Sequence, residues 1–391
     1  MPDQPQRGVA VLGSTGSIGR QALDVLDGLR DRFRVVALAA GRNAALLEEQ
    51  AARHRPLASH LAGDTASEAA ADTLVEIATR DDVDIVLVAT GGMVSLRPVI
   101  AALEAGKVVA TANKETLVAG GHLVMPLARQ LAAAAGAADD AAGALTWLRP
   151  IDSEHSAIWQ CLAGERRADV ARLVLTASGG PFREWPAERL ATVTPDQALA
   201  HPTWRMGAKI TIDSATMMNK GLEVLEARWL YDVADATVDV VIHPQSVIHS
   251  LVEFADGSLK AQLGLPDMRI PIQYALTYPA HLPSPVPAAH VARLPELTFQ
   301  PVDDQRFPAL AVARRAGDAG QRAAAALICA DEVAVGRFLD GTLRFTGITE
   351  LCAQAVDRFG GADEPLLADL IELEREVRDW AATARPARAS D

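Results

Sequence analysis

Residues 201–223 combine hydroxyl, amide, ammonium and carboxylate groups within one short stretch of the chain. Ser214, Asn219 and Lys220 could bind an anion, because a hydroxyl, an amide and an ammonium near a helix N-terminus suit a phosphate monoester. Ser178, which precedes two glycines, could add another hydroxyl and exposed backbone donors. These residue types predict a site for a phosphorylated ligand.

Three carboxylates could hold a metal ion. Asp152 and Glu154 are two residues apart, so in an extended segment both side chains would point to the same side. Glu223 follows Asn219 by four residues, which places both on one face of a predicted helix. Oxygen ligands without a nearby cysteine favour Mg²⁺ or Mn²⁺ over zinc. On spacing alone, a solvated surface is the better interpretation of the acidic pair, and the accompanying polar residues are what favour a metal site.

His201 and Trp204 lie in a segment of turn-forming residues. Such a segment could be a lid that carries an indole over a bound substrate. Lone histidines more often serve as structural hydrogen-bonding groups, and we retain that interpretation first for His243 and His249.

A glycine-rich segment, Gly13-Ser14-Thr15-Gly16-Ser17-Ile18-Gly19, follows the apolar run Gly8–Leu12 and opens a helical pattern. Glycines at this position let the backbone approach a pyrophosphate at the start of a helix. The spacing is GxxGxxG rather than GxGxxG, so a structural strand-to-helix turn is the alternative. The context nevertheless favours a dinucleotide site.

The second predicted strand, Phe33–Ala40, ends at Gly41-Arg42-Asn43. An NAD site would present a carboxylate to the ribose 2′-hydroxyl at this point, whereas a guanidinium favours a 2′-phosphate. Arg42 therefore indicates NADPH as the cofactor, with a solvated surface charge as the alternative interpretation.

Alternating strands and helices surround these residues. Further strands are predicted at Val83–Thr90 and Val108–Ala112, and the latter ends at Asn113-Lys114-Glu115. The pattern predicts an α/β fold with an N-terminal Rossmann-like parallel sheet, whose polar groups gather at the carboxyl ends of the strands.

From residue 150 onward the pattern changes to that of a central α+β region. Strands are predicted at Leu173–Ala177, Ile210–Asp213, Val238–His243, and in a hairpin, Val247–Phe254 with Ser258–Leu263, around Asp256-Gly257. Six prolines between 279 and 301 indicate a stiff linker, and Phe307–Trp380 has helical periodicity. We predict an NADPH-binding domain at 1–150, a catalytic and dimerisation domain at 151–278, a linker at 279–302 and a small C-terminal helical domain at 303–391.

The composition excludes several classes of function. A net charge of −13 on 391 residues argues against a nucleic-acid partner. Three cysteines without metal-ligand spacing fit a reducing compartment, and neither a signal segment nor a membrane-spanning apolar run is present. We therefore expect a cytoplasmic protein without a membrane partner.

Eight ordered blocks resemble one enzyme family, that of 1-deoxy-D-xylulose 5-phosphate reductoisomerase. The blocks are GSTGSIG at 13–19, ANKE at 112–115, DSEH at 152–155, SGGPFRE at 178–184, HPTWRMG at 201–207, DSATMMNKGLE at 213–223, HPQSVIHS at 243–250 and PDM at 266–268. The family commonly has lysine where Arg42 stands, so individual cofactor contacts could differ.

The resemblance implies NADPH-dependent conversion of 1-deoxy-D-xylulose 5-phosphate to 2-C-methyl-D-erythritol 4-phosphate in isoprenoid precursor biosynthesis, by a homodimer. It implies that Asp152, Glu154 and Glu223 hold the metal and that Lys114 and Ser153 contact the metal-bound end of the sugar phosphate. It implies a phosphate site made by Ser178, His201, Ser214, Asn219 and Lys220, beneath a loop with Trp204, Met206 and Gly207. The expected cofactor contacts are Gly13, Ser14, Thr15, Gly16, Ser17, Ile18, Gly41, Arg42, Asn43, Asn113, Glu115 and Gly207.

The general acid and base stay open. Lys114 and Glu115 are the nearest candidates for moving protons, and a metal-bound water molecule could do so instead. Two other functions are also possible: a different Rossmann-type NADPH-linked dehydrogenase, or a catalytically silent NADPH-binding regulator that kept the fold. The DSE block at 152–154, followed by the NKGLE block at 219–223, favours the reductoisomerase over these two functions.

Overall fold

The computed structural model describes residues 5–63, 68–137, 140–361 and 363–385. The ends of the first and last predicted domains, residues 1–4 and 386–391, lie outside the described residues. The described chain forms two compact units. Unit 1 comprises the described residues of Met1–Thr116, Leu123–Asp169 and Asp267–Ala288, and unit 2 those of Leu117–His122, Val170–Pro266 and Ala289–Asp391. The predicted functional division at residues 150, 278 and 302 stays a prediction.

The regular elements alternate along the chain. The strands are β1 Arg7–Leu12, β2 Phe33–Ala40, β3 Ala58–Leu61, β4 Ile85–Val88, β5 Val108–Thr111, β6 Leu148–Pro150, β7 Val170–Ala177, β8 Val238–Ile242, β9 Ile248–Phe254, β10 Leu259–Leu263 and β11 Gln300–Pro301. The helices are α1 Ser17–Gly28, α2 Ala44–His54, α3 Glu68–Ala78, α4 Leu96–Glu104, α5 Lys114–Ala134, α6 Ser153–Leu162, α7 Ala187–Leu190, α8 Pro195–Leu199, α9 Ala208–Thr216, α10 Met218–Tyr231, α11 Arg269–Thr277, α12 Ala309–Ala319, α13 Gln321–Leu339, α14 Phe345–Phe359 and α15 Leu367–Thr383.

Unit 1 is built on a six-stranded sheet in the order β3-β2-β1-β4-β5-β6. Every neighbouring pair in this sheet is parallel. The central strands are continuous apolar runs because helices cover both faces of such a sheet, and Val9, Val11 and Leu87 are fully buried. The predicted Rossmann-like parallel sheet is confirmed.

Two strands of this sheet, β3 and β6, were not predicted. β3 is short, lies at the edge and alternates half-buried with exposed residues, with Ser59 and His60 at its centre. Edge strands of this kind are short and polar, so they lack the apolar run that identified the central strands.

Unit 2 contains a mixed sheet in the order β10-β9-β7-β8-β11. β7 and β8 are parallel, whereas β9, β10 and β11 pair antiparallel with their neighbours. The predicted hairpin around Asp256-Gly257 is confirmed as β9 and β10, and Gly257 has the positive φ of 83° that such a turn requires. The last residues of the proline-rich segment form β11 against β8.

The predicted strand Ile210–Asp213 is wrong, because these residues belong to α9. The β-branched residues Ile210, Thr211 and Ile212 favour a strand locally. In the folded chain, however, Thr211, Ile212 and Ala215 are buried together on one side of a helix. Tertiary burial of an apolar face therefore outweighs the local preference.

The C-terminal part of unit 2 is helical, as predicted. α13, α14 and α15 pack together, and their core includes Phe338, Phe345, Ile348 and Leu351. Among the described residues, no helix is both long enough and apolar enough to cross a membrane.

Candidate active site

The glycine-rich loop of unit 1 joins β1 to α1 in a conformation that needs glycine. Gly13 has a φ of +87°, and a Cβ atom added to it would lie 2.5 Å from the Ala89 carbonyl oxygen. A Cβ atom on Gly19 would lie 2.2 Å from the Gly13 carbonyl oxygen. The N–H groups of Gly13 and Ser14 donate to the Ala39 carbonyl at 2.8 and 2.9 Å, which fixes the loop at the end of β2.

The same loop has features that suit an anionic ligand. No side chain caps the N-terminus of α1 at Gly16, so the helix presents its first N–H groups and positive dipole end. Ser14 is fully buried, and its hydroxyl has no hydrogen-bond partner among the described residues. Gln50, which sequence reasoning missed, donates to the Ser14 carbonyl at 2.9 Å and supports the loop from α2.

Gly41, Arg42 and Asn43 follow β2 and are exposed. Asn43 is the N-cap of α2, because its side-chain oxygen accepts a hydrogen bond from the Leu46 N–H at 3.1 Å. Arg42 is thereby held at the carboxyl edge of the parallel sheet, where the sequence predicts it.

Asn113 links the ends of two strands. Its side-chain nitrogen donates to the Thr90 and Gly92 carbonyls at 3.0 and 2.8 Å, and its oxygen caps α5 by accepting from the Thr116 N–H at 2.7 Å. Lys114 and Glu115 follow in the first turn of α5 and are 6% and 8% exposed. The buried Lys114 ammonium forms an ion pair with Asp152 Oδ2.

The local geometry predicted for Asp152 and Glu154 is wrong. They do not lie in an extended segment, because Asp152 is the N-cap of α6 and Ser153 is its first residue. Asp152 Oδ1 accepts from the N–H groups of Glu154 and His155 at 3.2 and 3.3 Å. Ser153 Oγ donates to Glu154 Oε2 at 2.6 Å. Asp152 thus uses one oxygen to begin the helix and the other to pair with Lys114.

In unit 2 three of the five predicted phosphate residues meet at the His201 ring. Its Nε2 lies 3.0 Å from Ser178 Oγ and 3.2 Å from Ser214 Oγ, although these hydroxyls come from the end of β7 and from α9. The N–H of Gly180 donates to Ser178 Oγ at 3.2 Å. The structure therefore brings Ser178, His201 and Ser214 together.

The second nitrogen of His201 shapes the loop that carries Trp204. Nδ1 accepts from the N–H groups of Thr203 and Trp204 at 3.1 and 2.9 Å. Burial lowers the pKa of His201 to about 4, and the positive charge of Arg183 acts in the same direction. The indole of Trp204 lies 6.1 Å from the His249 ring, while Met206 and Gly207 complete the segment before α9.

The first turns of α10 confirm that Asn219 and Glu223 share a helix face. Asn219 Nδ2 donates to Glu223 Oε1 at 2.6 Å, and the Lys220 ammonium pairs with Glu223 Oε2. Glu223 is fully buried and Lys220 is 4% exposed. A buried carboxylate held by an amide and an ammonium is a preorganised group, because burial of a charge is tolerated only with such partners.

Sequence reasoning also missed an ion cluster that joins α9 to α13 through two buried carboxylates. Lys209 Nζ lies 2.8 Å from Asp213 Oδ2 and 2.7 Å from Asp331 Oδ2. The only sequence signal was the scarcity of lysine, since Lys209 is one of five lysines in the chain. Asp331 carries no local signal, because it lies within an alanine-rich helix.

Comparisons with known proteins identify the family of this chain. Family models described as 1-deoxy-D-xylulose 5-phosphate reductoisomerase and as its C-terminal domain match residues 9–121 and 148–231, and one described as DXP reductoisomerase C-terminal domain matches 263–380. A reductoisomerase of this name from Pelotomaculum thermopropionicum is 48% identical over 388 residues, covering 95% of this chain and 97% of the relative. One from Anaeromyxobacter sp. (strain K) is 51% identical over 393 residues, covering 97% and 95%.

Solved structures of the same enzyme have the same fold. The Zymomonas mobilis enzyme in complex with NADPH has a TM-score of 0.83 and 38% identity, and the comparison covers 97% of this chain and 98% of that one. A DOX-P reductoisomerase in complex with NADPH, fosmidomycin and magnesium has a TM-score of 0.85 and 35% identity, covering 96% and 97%. This chain belongs to the 1-deoxy-D-xylulose 5-phosphate reductoisomerase family.

Proposed function

We propose that this chain converts 1-deoxy-D-xylulose 5-phosphate to 2-C-methyl-D-erythritol 4-phosphate with NADPH and a divalent metal ion. The observation that carries the proposal is the convergence of Ser178, His201 and Ser214 in a chain whose family is defined by this reaction. Isolated hydroxyl groups would be uninformative, but two hydroxyl groups from separate elements that meet at one imidazole form a built polar site.

The glycine-rich loop and the ends of β2 and β5 are the proposed nucleotide site. The uncapped α1 N-terminus and the buried Ser14 hydroxyl fit a pyrophosphate group. Arg42 fits a 2′-phosphate, since a guanidinium binds phosphate oxygens in a planar, bidentate manner. When bound, NADPH supplies the hydride for the reduction. The proposed contacts are Gly13, Ser14, Thr15, Gly16, Ser17, Ile18, Gly41, Arg42, Asn43, Asn113, Glu115 and Gly207.

Asp152, Glu154 and Glu223 are the proposed metal ligands. Their donor atoms are carboxylate oxygens, which suit Mg²⁺ or Mn²⁺. Asp152 and Glu223 are 8% and 0% exposed, so little water competes for them. When bound, the ion acts as a Lewis acid on oxygen atoms of the substrate.

The remaining residues bind and orient the sugar phosphate. His201 Nδ1 accepts two backbone N–H bonds and therefore carries no proton, so Nε2 carries the proton and can donate to an anion. The Ser178 and Ser214 hydroxyls and the Asn219 amide add donors, and Lys220 adds positive charge. Such a grip on a group remote from the bond changes contributes binding energy that can retain the reacting fragments.

Lys114 and Ser153 are proposed to contact the opposite end of the substrate from the phosphate. The ammonium of Lys114 is buried against Asp152, which holds it in a fixed position. Glu115 is buried beside it in the first turn of α5 and can accept a proton as a carboxylate. Lys114 and Glu115 are therefore the proposed proton-transfer residues.

We further propose a homodimer that works in the cytoplasm. β10 is an edge strand, and Leu259 and Leu263 on it are 58% and 40% exposed. An exposed edge strand with apolar side chains suits pairing with a second copy of the chain. None of the three cysteines, all of which lie among the described residues, forms a disulfide, and all three are buried, which fits a reducing compartment. Sedimentation equilibrium measures the oligomeric state directly.

The test is oxidation of NADPH, followed by absorbance, with 1-deoxy-D-xylulose 5-phosphate and Mg²⁺. Oxidation should require the substrate, stop with EDTA, return with excess Mg²⁺, and be slower with NADH. Chromatography of the product should identify 2-C-methyl-D-erythritol 4-phosphate. A folded, NADPH-binding protein that does not consume the substrate would contradict the proposal and support the silent regulator instead.

A further inference from the structure

Lys209 forms an ion cluster with two buried carboxylates in unit 2. Its ammonium lies 2.8 Å from Asp213 on the same helix and 2.7 Å from Asp331 on α13. The side chains of Asp213 and Asp331 are 3% and 0% exposed, whereas that of Lys209 is 27% exposed. The cluster therefore joins α9 to a helix that lies much later in the chain.

Local helix energetics do not explain a lysine at this position. Lys209 lies in the first turn of α9, where a positive charge opposes the helix dipole. It also precedes Asp213 by four residues, and the lysine-first order is the weaker arrangement of such a pair. Both local effects are unfavourable or weak, whereas the ion pair with Asp331 is a tertiary contact that favours a lysine at this position.

The cluster extends to a third helix through Cys352 of α14. Its thiol donates to Asp331 Oδ1 over 3.9 Å. Burial and the neighbouring Asp331 carboxylate hold the pKa of Cys352 well above its usual range, so the thiol stays protonated and remains a donor. Asp331 is thus held in place from α14 as well as from α9.

α9 also packs closely against the segment that follows β7, in which Ser178 lies. A Cβ atom added to Gly180 would lie 2.7 Å from the Ser214 carbonyl oxygen and 3.1 Å from the Ala215 Cα atom. Ser214, which follows Asp213, directs its hydroxyl to within 3.2 Å of His201 Nε2. A small shift or rotation of α9 would therefore change these contacts.

α9 also begins directly after the segment that carries Trp204. Gly207 is the N-cap residue of α9 and is not stabilised by a side-chain cap. The Gly207 carbonyl accepts from the Thr211 N–H at 3.1 Å and from Thr211 Oγ1 at 2.7 Å. The end of this segment is therefore tied to the first turn of α9, in which Lys209 is the charged residue.

We propose that Lys209 is a positioning residue for substrate binding. Its ion pair with Asp331 fixes α9 to α13 and thereby holds the Ser214 hydroxyl, together with the end of the Trp204 segment, in the geometry that binds the substrate phosphate. The inference rests on the proposed function, because it requires that Ser214 contacts this phosphate.

The experiment compares steady-state kinetics of Lys209→Met, Lys209→Arg and Asp331→Asn with those of the wild type. The control is Arg315→Met, which removes a cross-helix ion pair of the same unit: Arg315 lies 3.1 Å from Asp357, and the two side chains are 49% and 64% exposed. Thermal unfolding and circular dichroism show which variants fold.

The Lys209→Met variant should raise KM for 1-deoxy-D-xylulose 5-phosphate by at least about 10-fold, the effect of losing most of one hydrogen bond to a charged group. The KM for NADPH should not change, and kcat should fall less than KM rises. Lys209→Arg keeps the charge and should recover most of the loss. Asp331→Asn should also raise the substrate KM, whereas Arg315→Met should have the substrate KM of the wild type.

A double-mutant cycle tests the route through Ser214. If Lys209 acts by placing that hydroxyl, Lys209→Met should add little in a Ser214→Ala background, because coupled residues are not additive. Fully multiplicative effects on KM, or an unchanged substrate KM in a folded Lys209→Met variant, would overturn the proposal. Should Lys209→Met not fold, an unchanged KM in Asp331→Asn would overturn it.

The same series separates this inference from the proposed function. An unchanged KM in Ser214→Ala would refute the phosphate contact itself, and with it the route from Lys209. A raised KM in Ser214→Ala alongside a normal KM in the Lys209 and Asp331 variants would refute only the positioning role.

Discussion

Lowering the pH should destabilise the segment around His201. Nδ1 of this ring accepts hydrogen bonds from the Thr203 and Trp204 N–H groups, and Nε2 faces the Ser178 and Ser214 hydroxyls. A second proton on the ring must occupy Nδ1 and would abolish both backbone hydrogen bonds. The folded state therefore resists protonation of this histidine.

The direction and magnitude of this change in the free energy of unfolding follow from proton linkage. The pKa of His201 is lowered from 6.5 to about 4 by burial and, second, by Arg183. The unfolded chain therefore binds a proton as the pH falls through 6.5, whereas the folded chain does not until the pH approaches 4. The contribution of the neutral His201 ring to the free energy of unfolding is therefore fully present above pH 6.5 and is lost as the pH falls from 6.5 to about 4. The full shift corresponds to about 3 kcal/mol, which solvent screening of a half-buried ring reduces to about 1–2 kcal/mol.

Two measurements check this reasoning. The His201 ring resonances, assigned by comparison with His201→Asn, should titrate near pH 4. Between neutral pH and pH 4.5, wild type should lose about 1–2 kcal/mol more unfolding free energy than His201→Asn, which has no titrating ring but keeps an acceptor near the Nδ1 position. A ring that titrates at 6.5 or above, or equal pH dependence in the two proteins, would refute the assigned hydrogen bonding.

Three further changes test the other parts of the site. Glu154→Gln should lower kcat by about 100-fold or more while leaving NADPH binding intact, since the loss of even an outer partner of a metal ligand lowers metal affinity or activity by about 10- to 100-fold. Glu188→Gln, at an exposed position, is the control. Normal turnover in Glu154→Gln would contradict the assignment of Glu154 as a metal ligand. Gly13→Ala should weaken NADPH binding by about 10-fold or more, because a left-handed residue costs about 1–2 kcal/mol and the added atom meets the Ala89 carbonyl; unchanged binding in fluorescence titration would contradict the loop assignment. Arg42→Asp should lower the ratio of kcat/KM for NADPH to that for NADH, and a constant ratio would mean that another group binds the 2′-phosphate.

The parallel sheet of unit 1 could be predicted because each central strand is a short apolar run that ends at a turn-forming or polar group. β2 has the predicted bounds, Phe33–Ala40, and β5 ends one residue before the predicted end. Burial on both faces requires uninterrupted apolar residues, so these strands are visible in the sequence. β3 at one edge of the sheet and β6 at the other, which contains Arg149 and Pro150, are not uninterrupted apolar runs, and both were missed.

The cluster around His201 could be predicted as a set of residues but not as a geometry. Ser178, His201 and Ser214 were identified by residue type and by resemblance. The segment before Ser214, Ile210–Asp213, was interpreted as a strand, in which successive side chains point in alternating directions, so the helical geometry of the site was not predicted. Lys209 and Asp331 could not be paired from sequence, because their contact depends on how α9 packs against α13. Long-range packing, rather than local preference, decides both features.

Three predicted site residues share a structural role that the sequence did not distinguish from chemistry. Asn43, Asn113 and Asp152 each follow a strand and each cap the next helix through a side-chain oxygen. Short polar residues are favoured there because they satisfy N–H groups at a helix start, and replacement by alanine costs about 1 kcal/mol. In a parallel α/β sheet the same edge also binds ligands. Residue type alone therefore does not distinguish a capping residue from a ligand-binding residue at this edge, and the contacts of the second polar atom of the side chain make the distinction. Asp152 Oδ2 and Asn113 Nδ2 make contacts beyond the cap, whereas among the described residues the side-chain hydrogen bond of Asn43 is the one to its capping oxygen.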